Sequence, residues 1–367
     1  MATESNDTQQ TQPAEAPPPP RPSLARRLMR CAGIAIVMLA LTGTTVWSAL
    51  AIYYAGLEGR TPRSMMAVLF VLAVAGCLLL IKPRRFGVAA AFALFLIVVA
   101  WYFSLKPSND REWAVDVAQI PSAELRGDQL TVHNVRNFDY RSETDFTPRW
   151  ETRTYNLSQL RGVDAMLVYW GSPAIAHAMV SFQFEPDNYL AVSIEARRQK
   201  SESYSAIQGF FRQFELIYVF SDERDVVRLR TNYRHEDVYL YHTTMSPLAA
   251  KALLLSYIDQ ANSLANQAQF YNALTSNCAT NVLENARAVS LPTQMSWKVL
   301  LSGYAAEQMY ANGRLDTSMP YGQLKAASHV NEKANRADQS PEFARKIREG
   351  LPVPARAALR VPATVGN

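Results

Sequence analysis

The chain has 367 residues, 49% apolar and 19% charged, with a formal net charge of +5, a composition that excludes a wholly disordered or fibrous protein. The charge is unevenly placed: residues 1–106 hold ten Lys/Arg against four Asp/Glu, and residues 107–367 hold 27 against 28. The larger C-terminal part is therefore near neutral and lacks the basic footprint of a nucleic-acid binder, while three cysteines exclude a disulfide scaffold.

Residues 1–30 combine Gln, Thr and a proline cluster at Pro17–Pro20 with few large apolar side chains. They read as a disordered cytoplasmic tail, a plain spacer by default. Three uncharged apolar runs follow at 31–54, 64–81 and 86–104. At about 1.5 Å per residue each can cross a hydrocarbon core of roughly 30 Å, and the short gaps between them leave no room for a globular domain to bury them.

Arg21, Arg26, Arg27 and Arg30 precede the first run, and Lys82, Arg84 and Arg85 fill the second gap; the first gap has Arg60 and Arg63 offset by Glu58. The positive-inside rule then places the N-terminus in the cytoplasm and everything after Ser104 outside, in the periplasm of a bacterial inner membrane. Ala49-Leu50-Ala51 resembles a signal-peptide cleavage box, but the polar lead is long for one, and the C-terminal part is extracytoplasmic under either choice. Trp101, Tyr102 and Phe103 read as an interfacial aromatic anchor. Residues 105–131 are expected to be a linker, 132–351 a folded domain and 352–367 a flexible tail.

Within the domain, Ala178, Val180, Phe182 and Phe184 alternate with His177, Met179, Ser181 and Gln183, the pattern of a half-buried strand. Leu190, Val192 and Ile194 alternate likewise, and Glu185-Pro186-Asp187 supplies turn chemistry between the two. Pairing Phe182 with Leu190, Val180 with Val192 and Ala178 with Ile194 makes one face apolar throughout. The same register sets His177 opposite Glu195, where a carboxylate can hold an imidazole tautomer. The plainer alternative is an ordinary surface pair, with Glu195 bound to Arg197 or Arg198.

The run Asp222-Glu223-Arg224-Asp225, with Arg228 and Arg230 after it, reads as a structural ion-pair turn, as does Arg197, since interleaved arginines neutralise acids that a divalent ion would need free. His133, His242 and His329 stand alone with no second ligand at zinc-site spacing, so neither a metal nor another cofactor is expected. Ser246-Pro247 opens a helix to about Gln267 whose Leu248, Leu253, Leu254, Leu255, Ile258 and Leu264 form a core stripe.

Cys31 and Cys77 lie in the membrane runs, leaving Cys278 as the one thiol of the extracytoplasmic part. Thr275, Ser276 and Asn277 are good N-cap residues and Val282, Leu283 and Ala286 follow at helical spacing, so Cys278 falls in the first turn of a helix. A positive dipole end there is expected to lower the thiol pKa below about 8.5, and free backbone N–H groups can stabilise an oxyanion.

A histidine opening a strand, a carboxylate on the next strand and an Asn-Cys helix start about a hundred residues later resemble the permuted papain-like branch of the NlpC superfamily. More specifically, Asn134 to Phe138, Ala176-His177, Ser193 to Arg197, Asp222 to Asp225, Tyr271-Asn272, Asn277-Cys278 and Gly303-Tyr304 resemble the N-terminal periplasmic domain family of the bacterial lipoprotein N-acyltransferase Lnb, from about Val132 to Leu351. The resemblance implies a permuted papain-like domain, so that with the three N-terminal transmembrane helices read from run length the expected fold is α+β, three transmembrane helices followed by that domain. It also implies Cys278 as nucleophile, His177 as general base and acid, Glu195 as third member, and Asn277 and Tyr271 as oxyanion or site-shaping residues. In that acyltransferase a membrane region follows the periplasmic domain, whereas here three spans precede it.

The expected activity is a membrane-tethered thiol acyltransferase or hydrolase working through a thioester on lipoprotein or phospholipid acyl groups. The alternatives are an NlpC-like cell-wall amidase or peptidase, and a non-catalytic membrane-anchored binding or assembly module. No nucleic-acid partner is expected, and the sequence does not fix an oligomeric state.

Overall fold

A computed structural model describes residues 23–55, 59–200, 202–289, 298 and 301–354. Residues 1–22 of the expected tail, Glu58 and residues 355–367 lie outside the described residues. The chain divides into two compact units, Met1–Phe103 and Ser104–Asn367.

The first unit is three helices, α1 (Leu24–Ala55), α2 (Arg60–Leu80) and α3 (Arg84–Ser104), each long and apolar enough to cross a membrane. α1 starts at Leu24, so residues 24–30 are helical rather than part of a disordered tail; Leu28, Met29 and three arginines all favour helix and extend the apolar run. Leu41, Val74 and Ala91 are buried among the three. Tyr102, expected at an interface, is buried within the unit and stacks edge-on against Trp47 at 5.2 Å.

The second unit is built on an eight-stranded sheet. Its strands are β1 (Ser122–Arg126), β2 (Gln129–Arg136), β5 (Trp150–Asn156), β6 (Leu160–Tyr169), β7 (Ala176–Phe184), β8 (Asn188–Arg197), β9 (Glu215–Ser221) and β10 (Asp237–His242); β3 (Asp139–Tyr140) and β4 (Phe146–Thr147) pair separately. The order is β1-β2-β9-β8-β7-β6-β10, with β5 also on β2, and every pairing except β2 with β9 is antiparallel.

The β7–β8 hairpin takes the expected register, Phe182 with Leu190 and Val180 with Val192, and stops at Met179 with Ser193. Asp187 turns it with φ +46°, a left-handed conformation that Asp tolerates. Neither strand is half-buried, because the sheet is covered on both sides. Val180, Phe182, Leu190, Val192 and Ile194 join one core with Leu253, Leu254, Tyr257 and Ile258. Met179 and Ala191 join a second with Val226, Val227, Val330 and Phe343.

The first core is roofed by α6 (Pro247–Asn266) and α7 (Cys278–Ala288). Ser246 caps α6, its hydroxyl accepting from the Ala249 N–H at 3.3 Å, with Pro247 in the first turn. The buried stripe of α6 is Ala250, Leu253, Leu254, Tyr257, Ile258, Ala261 and Leu264. Leu248 lies two residues, about 200°, from Ala250, falls off that stripe and is 80% exposed. The second core is covered by α5 (Glu223–Arg228) and by short helices over 331–336 and 343–346.

Residues 105–131 are not a linker. Ala114, Val117 and Ile120 pack on Ile217 and Val219 of β9, and β1 belongs to the sheet, because this stretch carries apolar side chains that a sheet face can bury.

Candidate active site

α7 begins where the sequence predicts. Asn277 is the N-cap: its side-chain oxygen accepts from the Thr280 N–H at 3.0 Å while the Thr280 hydroxyl accepts from the Asn277 N–H at 2.8 Å, a reciprocal capping box. The Asn277 amide nitrogen donates to the Ala273 carbonyl at 2.7 Å. Both ends of that side chain hold the loop in shape, and neither is free to meet an oxyanion.

Cys278 is the first residue of α7, half-buried, and packs against the first core. The backbone N–H groups of Ala178 and Ala279, together with its own, favour its thiolate form. The expectation of a lowered pKa is overturned: burial pushes the thiol above its ordinary value, and the N–H donors with Arg230 oppose that without reversing it. Desolvation of a thiolate outweighs one turn of helix dipole at this depth.

Ala178 follows His177, so the sulfur meets the strand one residue from the histidine. The side chains come from different sides. By strand alternation His177 shares a face with Met179 and Ser181, whereas α7 packs on the face of Val180 and Phe182. His177 Nε2 is 2.7 Å from Ser193 Oγ, and Ser193 Oγ donates to Glu195 Oε1 at 2.7 Å. The expected direct His177–Glu195 contact is thus replaced by a relay, since the ladder ends at Met179–Ser193 before the two residues come opposite. The hydroxyl's one proton goes to the carboxylate, so it accepts from His177, which fixes the Nε2–H tautomer and leaves Nδ1 as acceptor.

Glu195 is paired neither with Arg197 nor with Arg198. Arg230 Nη2 lies 3.3 Å from its carboxylate and bridges on to Glu236 at 3.1 Å. Arg230 reaches it from a π-type turn over Leu229–Tyr233, in which the Arg234 N–H returns to the Leu229 carbonyl. Burial alone would raise the Glu195 carboxyl, but Arg136, Arg230, His177 and the Ser193 hydroxyl hold it at about 2. Burial lowers His177, Arg230 and Arg234 push the same way against Glu195, and its pKa falls to about 3. At neutral pH the site therefore holds a neutral thiol, a neutral imidazole and an ionised carboxylate.

Tyr271 is buried close to this cluster, interacting electrostatically with Cys278 and Glu195. Its hydroxyl is 3.4 Å from that of Tyr204, and a Cβ at Gly209 would press on its ring. It shapes the wall beside the cysteine. Gly303 approaches the start of β7 so closely that an added Cβ would collide with the Pro173 carbonyl. Next to it, the Ser302 hydroxyl binds both the N–H and the carbonyl of Ala176 at 3.0 and 2.6 Å, fixing the residue before His177.

The acids of 222–225 are paired, with arginines from elsewhere. Asp222 binds Arg153 at 2.8 Å and caps α5, Glu223 binds Arg348 at 2.6 Å, and Asp225 binds Arg136 at 2.9 Å. Consecutive helical residues point about 100° apart, so neighbours in sequence do not face one another. Arg224 makes no ion pair among the described residues. Arg197 is not in an ion pair either: it is buried, donates to the carbonyls of Val117 and Ala118, and lies 4.1 Å from the Trp113 ring centroid.

His242 binds Asp164 at 2.6 Å and His329 binds Asp237 at 3.0 Å, and His133 lies 3.2 Å from the Thr152 hydroxyl. Among the described residues no three His, Cys, Asp or Glu gather as a metal site. Sequence reasoning missed Ser193 and Arg230; a serine two residues before a strand carboxylate shares its face, and that parity was the available signal.

A comparison with known families matches residues 146–303 to the Lnb N-terminal periplasmic domain, a narrower stretch than 132–351 but one that contains His177, Ser193, Glu195 and Cys278. No curated protein and no solved structure matches the chain. Residues 146–303, within a sheet-rich mixed α/β unit that follows three apolar helices, thus match the Lnb N-terminal periplasmic domain.

Proposed function

We propose that the protein is a membrane-anchored periplasmic thiol acyltransferase or hydrolase, with Cys278 as nucleophile, His177 as general base and acid, and Glu195 acting on His177 through Ser193. The observation that carries it is the relay itself. It leaves His177 Nδ1 as an acceptor on the strand whose next backbone N–H, that of Ala178, favours the Cys278 thiolate.

The chain order of histidine strand, carboxylate strand and cysteine helix supports a permuted papain-like site, and the arginine bias of the membrane unit supports a cytoplasmic N-terminus. Substrates presented at the bilayer surface, lipoprotein or phospholipid esters, suit a tethered enzyme. Because thiol and imidazole are both neutral at rest, the proton moves as the bond forms. Cys278 Sγ bonds to the acyl carbon, the ester C–O bond breaks, and the thiol proton passes through His177 Nδ1 to the leaving alkoxide. An amine or water then takes the acyl group from the thioester. The N–H groups at the start of α7 offer donors for the developing oxyanion.

The test is to reconstitute the full chain in phospholipid bilayers and look for a hydroxylamine-labile acyl group on Cys278 by peptide mass spectrometry. The expected result is acylation in the wild type, none in Cys278→Ala, and a rate reduced by roughly 10²–10⁴ in His177→Ala. A wild-type chain that never becomes acylated, or one in which His177→Ala has no effect, overturns the assignment.

A further inference from the structure

Among the described residues one face of α7 is only partly covered, Val282 and Ala286 touching the first core. Ala279, Val282, Leu283 and Ala286 recur at i, i+3, i+4 and i+7, the spacing of a core stripe, and yet all four are only half-buried. The opposite side of the same helix is closed, with Asn281 and Asn285 buried against the Tyr218 hydroxyl. The open stripe faces a cavity of about 220 Å³.

Its other walls are Ala178 and Val180 of β7, Met166 and Leu167 of β6, Leu253 of α6 and Met309. Polar groups stand among them, but Asp164 is satisfied by His242, Gln308 by Asn312 and Thr243 by the Val163 carbonyl. An apolar cavity of about 150 Å³ stays dry and takes a benzene-sized guest, and the largely apolar walls here suit a hydrocarbon segment in the same way. Two of its lining residues are Ala279, next to Cys278 in the chain, and Ala178, and the backbone N–H groups of both favour the Cys278 thiolate.

We infer that this cavity receives the alkyl chain of the acyl group that Cys278 carries, and that α7, through Ala279, Val282 and Ala286, sets the length accepted. The inference rests on Cys278 as the acyl carrier and names the part of the substrate that the fold selects. A peptide segment, with a backbone polar group every few atoms, would leave those groups unpaired here. A straight hydrocarbon would not, and an acyl carbon held at the sulfur has its chain leaving past Ala178 and Ala279. The small side chains at 279 and 286 keep that course open.

The test reads the cavity without turnover. The full chain in phospholipid nanodiscs is treated with methyl, butyl and octyl methanethiosulfonate, and modification of Cys278 is timed by peptide mass spectrometry. Each methylene buried is worth about fourfold in affinity. In the wild type the rate is expected to climb by tenfold or more from methyl to octyl. In Ala286→Phe, which fills the cavity, the methyl rate is kept and the climb is lost, and Met309→Ala, which enlarges it, extends the climb to longer chains.

Partition into the bilayer acts equally on all three proteins, so an equal climb in wild type and Ala286→Phe overturns the inference. So does a flat wild-type series, or a sulfur that even the methyl reagent does not reach. A graded series without acylation from phospholipid would keep the chain site and remove the enzyme assignment; acylation with a flat series would do the reverse.

Discussion

At the residue scale, desolvation sets the protonation of Cys278 and His177, and neighbouring positive charges set that of Glu195. His177 at about 3 and Glu195 at about 2 titrate far below their ordinary values, and both shifts act on stability in the same direction. An unfolded histidine binds its proton below about 6.5 while the folded one stays neutral until about 3, so the unfolded state gains as pH falls through that window. Glu195 is ionised in the fold down to about 2, so the stability it contributes above about 4.5 is lost between there and 2. The midpoint of unfolding in detergent is thus expected to fall steadily below pH 6.5. His177→Gln should remove about 1.4 kcal/mol per pH unit of that slope between 6.5 and 3 and leave the share of Glu195, between 4.5 and 2, in place. An unchanged slope would mean that His177 is solvated. Ser193→Ala cuts the relay while leaving thiol, imidazole and carboxylate present. It is expected to slow Cys278 acylation by at least tenfold without lowering reactivity toward methyl methanethiosulfonate, a split that general loss of packing would not give.

At the scale of elements, two contacts position the ends of the site, and each gives a separable prediction. Asn277→Ala removes an N-cap and is expected to cost about 1 kcal/mol, with a change in Cys278 alkylation rate because the sulfur sits in the turn that the cap orders. Gly303→Ala introduces a Cβ against backbone, which cannot move aside like a side chain. A loss of about 1–3 kcal/mol, seen as a lower melting temperature, should accompany a displaced His177 strand and weaker acylation. Equal melting of Gly303→Ala and wild type would show that the 302–303 turn does not brace β7. Periodicity made α6, α7 and the β7–β8 hairpin legible, because apolar spacing, Ser246-Pro247 and Asn277 are local signals. What it could not show was the second layer over the sheet. Met179 and Ala191 look like the wet face of a hairpin until α5 and the helices near 331–346 cover them, and no local pattern announces that cover. For the same reason the ion pairs of 222–225 were read as local when Arg136, Arg153 and Arg348 arrive from distant segments, and Cys278 was given the pKa of a helix start rather than of a desolvated thiol. Cys278 and His177 themselves were legible as residue types in sequence context; the way they approach was not.

At the scale of the whole molecule, the two units have different electrostatic tasks. The membrane unit and its tail carry the entire basic excess, and the sheet-bearing unit is near neutral, so attraction to anionic lipid comes from the sequences flanking the helices rather than from the domain. With all three helices crossing, an odd number, the N-terminus and the domain are expected on opposite sides, and Lys82, Arg84 and Arg85 are expected to decide which is which. The test places single cysteines in a Cys31→Ser, Cys77→Ala, Cys278→Ala background. Arg126, whose side chain is 84% exposed, and Arg84, the first residue of α3, are replaced by cysteine in separate chains. In spheroplasts of a bacterial host an impermeant maleimide is expected to label the cysteine of Arg126→Cys directly and that of Arg84→Cys only after permeabilisation. The reversed pattern would put Cys278 in the reducing cytoplasm, away from periplasmic acyl donors, and would refute the periplasmic acyl-transfer assignment without touching the geometry of the site. If labelling follows the expected order, neutralising Lys82, Arg84 and Arg85 together should mix the two orientations, since the charge difference across the short loops is what holds the chain in one of them.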